Sequence, residues 1–174
     1  MTVLTFESLN AQFADLCVQL ITDCANDGIL LRPYSGLRTP SEQAKLWRQG
    51  RPIGEIEVAA RKLKDYKAPY LASCLLTVGP QKGAKVTNAL PGESWHNWGE
   101  GLDFYVLDNN NQPIIDGENP LYFEFGKRAI TLGLTAGVFW DKPDAGHVQL
   151  RAEPVKAFYQ WPDINRIMRE RYEH

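Results

Sequence analysis

Two of the three histidines in this 174-residue chain stand where they could do chemistry. His96 lies in Gly92-Glu93-Ser94-Trp95-His96-Asn97-Trp98-Gly99, with Asp103 further on, and His147 closes Asp141-Lys142-Pro143-Asp144-Ala145-Gly146-His147. Two imidazoles and one carboxylate make the ligand set of a catalytic zinc, which takes three protein ligands and leaves a fourth position open. Asp144, beside the last of these ligands, could act as a base. Spacing alone leaves two readings open, because a histidine in a Trp-rich loop is as often a half-buried, hydrogen-bonded side chain as a ligand. His174 is the last residue and is expected to be exposed.

The elements that would carry these residues read as follows. Phe6, Leu9, Phe13, Leu16, Leu20, Ile21 and Cys24 recur at helical steps and predict a packing helix that stops before Asn26-Asp27-Gly28. Ile29 to Ser35 reads as a strand. Thr39, Pro40 and Glu42 form a capping-box start for a second helix, which Gly50 stops. Ile56, Ala59, Ala60, Leu63 and Tyr66 predict a third helix, broken near Pro69, with a short helical piece from Ala72 to Leu76. Leu102 to Leu107 is strand-like and is followed by the turn cluster Asp108-Asn109-Asn110-Asn111. Leu121 to Leu132 reads as a helix closed by Gly133, and His147 to Leu150 as a strand. A last helix is expected to begin at Asp163 as its N-cap and to bury Ile164, Ile167 and Met168. Helices early and late around a few central strands predict an α+β class, read as one domain over 1–174.

Three blocks, in order along the chain, resemble a known family. Ser94-x-His96-Asn97-x-Gly99-x-x-x-Asp103-Phe104 is similar to the zinc signature of the D-alanyl-D-alanine carboxypeptidases, a family that also includes L-alanyl-D-glutamate endopeptidases of phage endolysins and bacterial wall enzymes. Ser35-Gly36-Leu37-Arg38-Thr39-Pro40-x-x-Gln43-x-x-Leu46-Trp47-x-x-Gly50 precedes it. Gly133-Leu134-x-x-Gly137-x-x-Trp140-x-x-x-Asp144-x-x-His147-x-Gln149 follows it. Gly101, where the family commonly has Ala, and Val148, where an aromatic is usual, are departures that touch no ligand. Arg51 to Lys85 is longer than in compact members and would reshape the substrate groove.

The resemblance implies a small central antiparallel sheet flanked by helices, as in hedgehog-like and D-Ala-D-Ala peptidase folds. It implies one Zn²⁺ ion held by His96, Asp103 and His147, with Asp144 as the general base that takes a proton from zinc-bound water and passes it to the leaving amine. Arg38 is the choice for substrate binding or oxyanion stabilisation, because a guanidinium offers a rigid donor fork; its alternative is an ordinary ion pair. Gln43 and Ser94 are candidate substrate contacts, with loop support and turn stabilisation as their alternatives. Trp140, with Trp95 and Trp98, would wall the groove or pack the ligand loops. An acceptor for the second nitrogen of each histidine is expected but has no assigned residue.

Composition narrows the remaining classes. Nineteen Lys and Arg against 21 Asp and Glu give a net charge of -2, and no block of like charge occurs, which argues against a nucleic-acid or anionic-membrane binder. No apolar run reaches membrane-spanning length. The first residues lack the pattern of a secretory signal, so synthesis in the cytoplasm is expected, with action on the wall from the periplasm or after release through a pore. The three cysteines, Cys17, Cys24 and Cys74, lack a Cys-x-x-Cys spacing and read as reduced core thiols. The expectation is a monomeric zinc metallopeptidase acting on the peptidoglycan stem peptide, with the L-alanyl-D-glutamate bond favoured over the terminal D-alanyl-D-alanine bond. Its rivals are a non-catalytic zinc-bearing wall-binding module on the same fold, and a cysteine peptidase using Cys74.

Overall fold

Apolar and polar residues alternate along Gly101–Val106, and in the computed structural model, which describes residues 6–173, this stretch is the central strand β2. Leu102, Phe104 and Val106 are fully buried on one face, and Asp103 and Tyr105 point to the other, as a period of two requires. The strands β1 (Leu31–Ser35), β2, β3 (Thr135–Ala136) and β4 (His147–Gln149) form one antiparallel sheet in the order β1-β2-β4-β3. The β2–β4 register sets Asp103 directly opposite His147, so both side chains leave the same face. The two-residue β3 has no counterpart in the expectations from sequence; so short a strand carries no periodic signal.

The chain divides into two compact units. The first combines the described residues up to Leu37 with Trp98–Ala152 and contains the sheet, helix α1 (Ala11–Asn26) and helix α5 (Pro120–Thr131). Phe13, Cys17, Leu20 and Cys24 of α1 and Phe125 and Ala129 of α5 share one core with Leu102, Phe104, Val106 and Val148 of the sheet. Burying each large apolar side chain of this set stabilises the fold by about 1.5–3 kcal/mol relative to leaving it exposed. The α1 stripe is as expected from Phe13 onward, whereas Phe6 belongs to a separate turn of 3-10 helix, Phe6–Ser8. Gly133, at φ +81°, ends α5.

The second unit, Arg38–Asn97 with the described residues from Glu153, is helical: α2 (Pro40–Arg48), α3 (Ile53–Asp65), α4 (Pro69–Thr77) and α6 (Trp161–Tyr172). The capping box of α2 is present: Glu42 N–H donates to Thr39 Oγ1, and Thr39 N–H donates to Glu42 Oε2. Arg51 to Lys85 supplies α3 and α4. The buried Arg48 donates to the carbonyls of Leu75 and Leu76 at the end of α4, supplying acceptors there with a cation.

Two details correct the reading from sequence. Helix α6 starts at Trp161, with Gln160 as N-cap, and Asp163 lies within its first turn instead of capping it. An acidic residue suits the first turn as well as the cap, and Pro162 fits the helix start, so the signals at this end were displaced by a few residues. Ile164 and Met168 are buried as expected, while Ile167 is only partly so. All three cysteines are free and buried. None of the described helices is long and apolar enough to cross a membrane. His174 lies outside the described residues.

Candidate metal centre

His147 owes its place to the sheet. Its Nδ1 lies 2.8 Å from Asp103 Oδ1, its partner across the β2–β4 ladder, and its Nε2 lies 3.0 Å from Gln149 Oε1. Gln149 follows two residues later on the same strand and therefore on the same face; its own amide donates to Arg151 O at 2.6 Å, which fixes the oxygen toward the imidazole. Burial, the largest influence on His147, lowers its pKa. The hydrogen bond and charge of Asp103, then Asp144 and Gln149, raise it, and the net direction is up.

The turn that leads into β4 depends on two glycines. A Cβ at Gly146 would collide with the Phe104 carbonyl of β2, and one at Gly137 would meet the backbone and Cβ of Asp144. Their absence lets Phe104 N–H donate to Gly146 O at 2.9 Å and Asp144 N–H donate to Gly137 O at 3.0 Å. The backbone of Asp144 is thereby pinned, while its carboxylate is exposed. Trp140 is partly exposed, its ring 5.2 Å from that of His147. On β1 the register shifts between Pro33 and Ser35, so Tyr34 is an extra residue that stacks on Tyr105 with ring centres 3.9 Å apart. Burial and the nearby charges of Asp103 and Asp144 push the Tyr34 phenol up, so its hydroxyl stays protonated at neutral pH.

His96 is held differently, in a single 3-10 turn, Trp95–Trp98. Its neighbour Asn97 is fully buried and acts as the clamp. Asn97 Nδ2 donates to Arg38 O at 2.7 Å, Asn97 Oδ1 accepts from Gly92 N–H at 2.9 Å, and Asn97 O accepts from the Tyr172 hydroxyl at 2.9 Å. Arg38 N–H donates to His96 O at 3.0 Å, which ties the start of the Arg38 segment to the His96 turn. The Arg38 guanidinium donates to Gln43 Oε1 at 2.9 Å, and Gln43, fully buried, donates to Ala89 O at 2.8 Å. The amide of Gln43 is thus engaged inside the fold, aiming Arg38. Ser94 Oγ accepts from His96 N–H at 3.4 Å, a local turn contact. Trp95 is buried and donates to Glu153 O, and Trp98 is buried as well.

His96, Asp103 and His147 come together, all buried, with one potential ligand atom from each within 4.8 Å of the others. Two imidazoles and one carboxylate in a buried cluster suit a borderline-soft divalent ion, and the donor separation is small enough for a single ion to draw in all three. Asn97 and Gln149, the groups that orient the two histidines, carried no assigned role in the sequence reading. The alternation of His147 and Gln149 on one strand is the signal that could have found the second of them. Cys74 is buried and desolvation raises its pKa, which leaves its thiol protonated and unsuited to nucleophilic attack.

None of the curated proteins compared with the chain matches it. Among solved structures it is similar to a vancomycin resistance D,D-pentapeptidase VanY from a VanB-type resistance cassette, a mutant in complex with Zn(II). The TM-score is 0.49 at 19% identity, over 81% of this chain and 71% of that one. The profile of the VanY family, D-alanyl-D-alanine carboxypeptidase, matches residues 7–129, a span that takes in Arg38, His96 and Asp103 and ends before Asp144 and His147. With more than half of its length matched, the chain belongs to the D-alanyl-D-alanine carboxypeptidase family and is a hydrolase of peptidoglycan-type peptides.

Proposed function

We propose that the protein is a zinc metallopeptidase that cleaves a peptide bond in the stem peptide of peptidoglycan, with an internal bond favoured over the terminal D-alanyl-D-alanine bond. The observation that carries this reading is the buried convergence of His96, Asp103 and His147, with the exposed carboxylate of Asp144 on the same turn as His147. Bound by those three residues, a zinc ion would supply Lewis-acid polarisation of the scissile carbonyl and acidify the attacking water. Asp144 takes a proton from that water and returns it to the nitrogen of the leaving amine, the task of a general base that becomes a general acid. Its backbone is fixed by the bond to Gly137 O, so the carboxylate is presented from a rigid turn.

Arg38 offers its guanidinium to a substrate carboxylate or to the negative charge that develops on the carbonyl oxygen. Gln43 is assigned to holding Arg38, through the bond at 2.9 Å, and Ser94 to shaping the His96 turn, with its hydroxyl at the edge available to substrate. Trp140 forms an aromatic wall beside His147. Gln149 keeps His147 oriented.

The variant Asp144→Asn tests the division of labour. It is expected to bind one equivalent of zinc, as the parent does, and to lose roughly 10²–10⁴-fold in turnover on isolated peptidoglycan. Full activity in that variant would remove Asp144 from the role of base. One equivalent of zinc with no cleavage by the parent on any wall type would point instead to a binding module.

A further inference from the structure

Glu100 is a buried carboxylate to which the proposed chemistry gives no task. Arg151 Nε donates to its Oε2 at 2.6 Å and Arg151 Nη2 to its Oε1 at 3.3 Å, a forked contact, and Asn10 Nδ2 donates to Oε1 at 3.4 Å. The Glu100 carbonyl accepts from Leu150 N–H at 2.9 Å, which carries the β2–β4 ladder one step past the Gly101–Gln149 pair. Burying a carboxylate costs desolvation that its ion pair does little more than offset, so apolar side chains at these two positions would hold the fold as well. What the forked pair adds is a fixed geometry.

That geometry reaches His147 in two steps, all within the first unit. Arg151, whose side chain Glu100 holds, presents its backbone carbonyl to Gln149, and the Gln149 amide donates to it at 2.6 Å. A carbonyl only accepts, so the amide nitrogen must face Arg151 and the amide oxygen must face His147. Gln149 Oε1 lies 3.0 Å from His147 Nε2 and, being an acceptor, requires the proton on that nitrogen. Nδ1, beside Asp103, is then the nitrogen left to serve an ion shared with Asp103 and His96. Were the Arg151 carbonyl to swing away, the amide could turn over. Its NH₂ would then face Nε2 and call for a lone pair there, which places the proton of the neutral ring on Nδ1 and blocks that nitrogen as a ligand.

We propose that the Glu100–Arg151 pair positions His147: by fixing the Arg151 carbonyl it fixes the Gln149 amide, and through that amide it keeps the imidazole proton on Nε2. This rests on the reading of His96, Asp103 and His147 as a zinc centre. The test is zinc affinity, measured by competition with a chromophoric chelator, beside chemical denaturation of the same proteins. Glu100→Leu is expected to bind zinc about three- to tenfold more weakly than the parent, a smaller loss than the roughly 10–100-fold expected when the group touching the histidine is itself removed in Gln149→Leu. Glu100→Gln keeps an oxygen for Arg151 and should fall between Glu100→Leu and the parent. In the Gln149→Leu background, Glu100→Leu should weaken zinc no further, because the amide through which it acts is gone. Asn10→Ala is the structural control: it removes the α1 cap and the contact to Glu100 but leaves Arg151 in place, so the denaturation midpoint should drop while zinc affinity stays at the parent value. In the zinc-loaded parent the His147 Nε2–H proton should exchange slowly by NMR, and faster in Glu100→Leu. Parent-like zinc affinity in Glu100→Leu, a fully additive loss in the double variant, an equal loss in Asn10→Ala, or unchanged exchange of the Nε2–H proton would each overturn the proposal. A parent that binds no zinc would overturn the metal centre and this proposal with it, whereas a parent that binds one equivalent and is matched by Glu100→Leu overturns the proposal alone.

Discussion

His147 and His96 reach one cluster by different routes. His147 is placed by strand pairing: the β2–β4 ladder sets it opposite Asp103, and Gln149 on its own strand takes the second nitrogen. His96 sits in a single 3-10 turn whose geometry depends on one buried amide, that of Asn97. A ladder spreads the positioning over many backbone bonds. A clamped turn concentrates it in a few side-chain bonds, where one substitution removes it.

The largest effect expected is that of Asp103→Ala, which takes away a proposed ligand and the partner of His147 together; stoichiometric zinc binding, measured by metal analysis after dialysis, should be lost. Asn97→Ala separates the two routes. It leaves the Gly92 N–H and the Arg38 carbonyl without their bonds, a penalty of about 3 kcal/mol in chemical denaturation. Its zinc affinity should fall as the His96 turn loosens. Gln149→Leu acts on the strand-held histidine alone, and zinc affinity is expected to drop roughly 10–100-fold with the denaturation midpoint moving less than in Asn97→Ala. If Gln149→Leu proves the more destabilising of the two, the contrast between ladder and clamp is wrong.

The smallest effect concerns Glu93, on the segment leading to the His96 turn. Burial raises its pKa, partly offset by the Leu90 N–H donated at 3.0 Å and by the Lys156 charge. An acid whose folded-state pKa is raised loses stability as pH climbs from its unfolded value through its folded one. Glu93→Gln should therefore show a slightly higher Tm than the parent at pH 7 and none of that advantage well below the ordinary carboxylate pKa. An equal difference at both pH values would contradict the burial argument.

Much of the scaffold was legible in the residues because its signals are local. Thr39, Pro40 and Glu42 announce α2, and the Phe13, Cys17, Leu20 and Cys24 stripe announces α1. The family resemblance supplied the site residues, since the spacing of His96 and Asp103 on its own left a packing histidine open. What the sequence hid depends on tertiary structure. The clamp made by Asn97 joins Gly92 to Arg38, far apart in the chain. The meeting of Tyr34 with Tyr105 depends on a bulge after Pro33 that no local pattern marks. The start of α6 was misplaced because Asp163 serves a first turn as readily as a cap.

The most direct test is to incubate the purified protein with isolated peptidoglycan, with zinc, with a chelator, and with zinc restored after chelation, and to identify the released fragments by mass. The account predicts cleavage that stops with the chelator and returns with zinc, and a new amino terminus inside the stem peptide. Cleavage that persists without metal would contradict the His96, Asp103 and His147 centre. Release of D-alanine alone would contradict the internal bond.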